Sequence, residues 1–105
     1  MLSLYLEIYW LSYPHTIHCL ANGKIMISFL GVDPEHIENK LNSGADFLWF
    51  DENLEVEQRW VKDPNERPKY GYDYWYQPYH NIMVSTEWGT PDAFSKGFNP
   101  QHIKV

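Results

Sequence analysis

The dipeptide Asn22-Gly23 stands between two runs, Thr16 to Ala21 and Lys24 to Leu30, whose apolar side chains alternate. No short signal commits a chain more firmly to an antiparallel hairpin, and the pair predicts a type I′ turn. The same grammar continues. Ala45 to Phe50 reads as a continuous apolar strand, Asp51-Glu52-Asn53 as a turn, and Leu54, Val56 and Trp60 alternate with Glu55, Glu57 and Arg59 as a strand with one wet face. Tyr72 to Gln77 predicts a strand, Pro78 to His80 a turn, and Ile82 to Glu87 a further strand. Helix signals are nearly absent. Asp33-Pro34 is a helix-start signal and places one short helix in the excursion from Gly31 to Gly44.

Ile25-Met26-Ile27-Ser28 returns as Ile82-Met83-Val84-Ser85, so one structural unit recurs. Four antiparallel strands per unit match a blade of a β-propeller, and the expected fold is all-β, a partial propeller of about one and a half blades. The expected organisation is a strand over residues 1–12, a first blade over 13–61, a solvated connection over 62–71 and the start of a second blade over 72–105. Met1 to Trp10 alternates with the period of a half-buried strand and is too short to span a bilayer.

Aromatic residues make up 17% of the 105, more ring surface than an isolated domain of this size needs for its core. The excess predicts that remaining blades or another chain cover part of it. A net charge of −6 argues against nucleic acid and anionic lipid as partners. Cys19 is the only cysteine, which excludes an internal disulfide and points to a reducing, cytosolic compartment.

His15-Thr16-Ile17-His18-Cys19 concentrates two imidazoles and a thiol in five positions. On a strand the odd spacing sends His15 and His18 to opposite sides, so only one faces inward and other metal ligands must come from neighbouring strands. A lone strand histidine is more often structural than ligating. His80 sits at a turn, where local hydrogen bonding explains it at least as well, and His36 and His102 read as surface residues. Cys19 is a candidate soft-metal ligand, although a free cysteine is usually buried filler. Asp73 and Glu87 are candidate hydrogen-bond partners of a histidine, a role that solvent-facing positions replace equally well. No phosphate loop, nucleophile elbow or zinc-protease motif is present.

The segment Pro14 to Gly23 followed by Ile25-Met26-Ile27-Ser28, and the longer segment Gly71 to Gly89 with Pro91 and Gly97-Phe98-Asn99-Pro100, resemble the selenium-binding proteins in order and spacing. The resemblance covers about residues 13–100, and the strand expected over residues 1–12 matches none of the family's motifs. It implies a seven-bladed, cytosolic propeller, with nuclear or peripheral-membrane siting also possible for the family. It also implies that selenium is bound and that methanethiol, a small thiol substrate, is oxidised by oxygen to formaldehyde, hydrogen sulfide and hydrogen peroxide. Copper held by histidines is implied as cofactor. His18 matches the second histidine of the family's His-x-x-His-Cys segment and is the first candidate ligand, with His15 and His80 behind it. The family's His-His pair with Gly-Trp-Asn and its selenium-associated cysteine have no counterpart here, so the chain is expected to be a fragment without catalysis of its own. A non-catalytic selenium-binding or scaffold module in intracellular protein transport is the alternative.

Overall fold

The computed structural model describes residues 11–32 and 44–103. The strand expected over Met1 to Trp10 and the short helix expected behind Asp33-Pro34 lie outside the described residues, as does His36.

Two antiparallel sheets carry the fold. β1 (Pro14–Cys19), β2 (Ile25–Leu30), β3 (Ala45–Phe50) and β4 (Val56–Arg59) form a four-stranded meander in chain order. β5 (Tyr74–Gln77) and β6 (Ile82–Ser85) form a two-stranded sheet. Among the described residues, helix is confined to α1 (Pro91–Ser95) and two 3-10 turns, Pro64–Glu66 and Pro100–Ile103. The all-β class follows from dense β-branched and aromatic runs cut by turn residues. Among the described residues, no helix is long and apolar enough to cross a membrane.

All three hairpins close with a left-handed residue. In the first, Leu20 N–H donates to Lys24 O at 2.7 Å and Gly23 N–H to Leu20 O at 3.0 Å, with Gly23 at φ 80. Asn22 does not have a positive φ. The expected type I′ turn is therefore corrected to a three-residue loop ending in a glycine bulge, the other common hairpin solution. The second loop repeats this pattern with Asp51 N–H donating to Glu55 O, Leu54 N–H to Asp51 O, and Leu54 at φ 64. The third places Asn81 at φ 52. Left-handed Leu54 ends the loop, which is why β4 starts at Val56 and not at Leu54.

The first sheet has apolar residues on both faces. One face gathers Leu11, Ile27, Phe29, Leu48 and Phe50. The other gathers Met26, Phe47 and Trp49 and receives Tyr74, Tyr76 and Met83 from the second sheet. Tyr74 joins the sheets: its phenol donates to Met26 O, and its ring meets Phe47 edge-on at 5.4 Å. Nearby, Ser28 Oγ donates to Tyr72 O at 2.7 Å. Gly71 passes so close to β2 that an added Cβ would lie 2.2 Å from Phe29 O, while its N–H donates to Leu30 O at 3.0 Å. Only glycine permits that approach.

Four sequence expectations change. β3 is not wholly apolar, since Asp46 is fully buried in it. The 62–71 connection is solvated through Glu66 and again at Lys69, but Arg67 turns toward Asp46 and Tyr70 is buried. The recurring tetrapeptide does form the second strand of each hairpin, but Met26 and Met83 turn into one shared core from facing sheets. Finally, Asp73 precedes β5 and Glu87 follows β6, so neither lies inside a strand.

Candidate functional site

A β-bulge decides where the histidines go. Pairing steps from Pro14↔Phe29 to Ile17↔Ile27, so β1 spends three residues where β2 spends two. The extra residue cancels the odd spacing between His15 and His18. Both imidazoles consequently meet the segment leading into β5: the His15 ring lies 4.7 Å from Tyr72, and the His18 ring 4.7 Å from Tyr74. That single inserted residue brings both rings to the same sheet, but His15 stays exposed and only His18 is partly buried.

His18 is the better held of the two. Its backbone N–H donates to Tyr74 Oη at 3.2 Å, and Nε2 lies 3.7 Å from Asp73 Oδ1. Its side chain is 36% exposed, so the ring is gripped but still reachable. Burial and the neighbouring Asp73 and Cys19 push the Tyr74 phenol well above the usual phenol range, against the His18 N–H, which pulls it down. Tyr74 therefore stays protonated and keeps donating to Met26 O.

His15 is exposed, with Nδ1 2.8 Å from Thr16 Oγ1 and its ring 6.3 Å from Trp88. Tyr72 and Trp88 meet at 4.6 Å, and Phe94 of α1 lies 5.1 Å beyond Trp88, so a ladder of rings runs from β1 to the helix. His80 is elsewhere, exposed in the β5–β6 loop, its N–H donating to Gln77 Oε1 at 2.6 Å. Cys19 is exposed and free, not buried filler.

Among the described residues, no three His, Cys, Asp or Glu side chains converge as a metal-holding group. The donors present thus do not fit a copper centre by themselves: His18 offers one nitrogen and His80 is not brought to it. Tyr72 and Tyr74 were missed as members of the site. Their signal was in the letters, because residues 72, 74 and 76 alternate along one strand face.

The family model described as 56kDa selenium binding protein (SBP56) matches residues 6–105, beginning within the 1–12 segment that the quoted motifs do not reach. Selenium-binding protein 1 of Arabidopsis thaliana is 50% identical over 93 residues, 89% of this chain and 18% of that protein. Methanethiol oxidase of Rattus norvegicus is 52% identical over 92 residues, 87% of this chain and 18% of that protein. Methanethiol oxidase of Danio rerio is 45% identical over 103 residues, 94% of this chain and 21% of that protein. The chain spans about a fifth of the length of these curated relatives. No solved structure matches it. With its family model matched over nearly the whole chain and about half its residues shared with these relatives, the chain belongs to the 56kDa selenium-binding protein family.

Proposed function

We propose that the chain is part of a cytosolic selenium-binding methanethiol oxidase, in which it contributes one propeller blade, the start of the next and one histidine to the working site. What carries this reading is His18, gripped at the seam between the two sheets by Tyr74 and Asp73 yet still partly exposed. A four-stranded meander whose face receives the following sheet is how propeller blades stack, and supports that architecture. The overall reaction consumes one oxygen and one water per methanethiol and yields formaldehyde, hydrogen sulfide and hydrogen peroxide. Copper would supply the redox chemistry, and soft sulfur and imidazole donors suit it better than hard cations. This chain's part is limited to holding and orienting the His18 imidazole and shielding one side of it with Tyr74.

One or two ligands do not fix copper against water, so the 105-residue chain alone is expected to retain little copper and to release no peroxide from methanethiol. The decisive protein is a rat methanethiol oxidase whose matching segment is replaced by this one. That chimera is expected to keep copper and peroxide release, and its His18→Ala version to lose both. Full copper and activity in the His18→Ala chimera would remove His18 from the site. A chimera that binds selenium but never copper or methanethiol would favour the second reading, a non-catalytic selenium-binding scaffold in intracellular transport, for which exposed Trp75, Tyr79 and Phe98 offer contact surface.

A further inference from the structure

Asn22 is the only asparagine of the chain that is followed by glycine, and both residues are exposed at the tip of the first hairpin. In such a pair the backbone nitrogen of the glycine can reach the asparagine Cγ, because glycine has no Cβ to stand in the way. No neighbour shields it here, since nothing lies within 4 Å of where a Gly23 Cβ would be. The turn acts on the two reacting groups in opposite senses. Asn22 Oδ1 accepts Lys24 N–H at 3.1 Å, which curls the side chain along the backbone and polarises the Cγ–Oδ1 bond toward attack. Gly23 N–H donates to Leu20 O at 3.0 Å, and that nitrogen becomes a nucleophile only when it gives up the proton it is sharing. One bond primes the electrophile and the other withholds the nucleophile.

We propose that Asn22-Gly23 is a self-modification site gated by the first hairpin: while Leu20 O holds Gly23 N–H the asparagine persists, and when the hairpin tip opens it deamidates. Base removes the Gly23 amide proton, the nitrogen bonds to Asn22 Cγ, and the Cγ–Nδ2 bond breaks to release ammonia and leave a cyclic imide. Water then opens the imide at either carbonyl, giving aspartate or isoaspartate. No electrons are transferred, and water is the only co-reactant. Aspartate keeps the backbone and an oxygen for Lys24 N–H. Isoaspartate instead adds a methylene to a loop whose ends are fixed by Leu20 N–H donating to Lys24 O at 2.7 Å and by Lys24 Nζ on Glu57 Oε1 at 2.6 Å, so it strains the pairing of β1 with β2. Either product adds a negative charge to a chain already at −6. The modification therefore marks, irreversibly, chains whose first hairpin has opened, and it depends on no metal or thiol chemistry.

The test follows Asn22 by peptide mass mapping, with chromatographic separation of aspartate from isoaspartate. The full 105-residue chain is incubated in mildly alkaline buffer and, in parallel, in concentrated guanidinium chloride. Conversion at Asn22 is expected to be at least about tenfold slower in buffer, where the closed hairpin limits the open fraction. Deuterium exchange at the Gly23 amide should be slowed in buffer by a similar factor, because both reactions begin with loss of the same proton. In guanidinium chloride, where no variant has to fold, Gly23→Ala should convert several-fold more slowly than the parent. Equal conversion in the two solutions, or an unprotected Gly23 amide in buffer, overturns the gate. Absence of conversion at Asn22 in denaturant, or conversion in Gly23→Ala as fast as in the parent, overturns the site.

Discussion

Asp46 has no exposed surface and still carries several partners: Arg59 Nε at 2.6 Å, Arg67 Nε at 3.8 Å, Phe47 N–H at 2.7 Å and Val61 N–H at 3.4 Å. Burial pushes its carboxyl up, while Phe47 N–H and Arg59 pull it down. Removing the charge takes from Arg59 and Arg67 the carboxylate they share in a largely buried setting, so Asp46→Ala should cost about 3–5 kcal/mol in urea unfolding. A cost under about 1 kcal/mol would mean that the cluster is solvated. Tyr74→Phe removes the donor to Met26 O and the acceptor of His18 N–H, and should cost about 1–3 kcal/mol near neutral pH. Because burial raises the folded phenol's pKa, the unfolded chain ionises first as pH climbs past about 10. Tyr74's contribution is thus intact below that pH and shrinks above it, and the stability gap between parent and Tyr74→Phe should narrow in alkali. A gap of constant size would contradict the raised pKa.

The three hairpins turn on left-handed residues of unequal cost. Gly23 adopts φ 80 freely and a Cβ there would meet nothing, so the penalty of Gly23→Ala is purely conformational, about 1 kcal/mol. Leu54 pays that penalty already. It is 57% exposed at φ 64, so Leu54→Gly should raise stability by about 1 kcal/mol, read from the urea midpoint. No gain would mean that Leu54's contacts offset its strain. The existence of each hairpin was legible in turn residues between alternating runs, and β3 was legible to the residue. Turn type and strand ends were not. They depend on which residue adopts positive φ and where the ladder slips, and Leu54 gives no compositional warning of either.

At the scale of the whole molecule, the second sheet has one face buried against the first, and none of the described residues covers the other. Trp75, Ile82 and Val84 are each more than half exposed on the side away from the first sheet. An apolar sheet face of this kind promotes association. The triple variant Trp75→Thr, Ile82→Thr and Val84→Thr should sediment with less self-association than the parent chain while the first sheet stays folded; equal association in both would place the sticky surface elsewhere. At the seam itself, Gly71→Ala forces a methyl into the Phe29 carbonyl, and backbone on both sides cannot yield cheaply. A loss of at least about 2 kcal/mol is expected by chemical denaturation, and a neutral result would mean that the segment has slack.

Residue order alone was enough for the all-β class, the tandem hairpins and the family, because alternation, turn residues and a long motif are written locally in the chain. It also marked His18 as the histidine to watch. Which way His15 and His18 point, by contrast, is set by a bulge against β2. The burial of Asp46 depends on Arg59 and Arg67 folding over it, and the grip on His18 on a sheet more than fifty residues downstream. These are pairings between distant segments, and no local pattern of side chains encodes which strand will slip by one residue or which face will be covered.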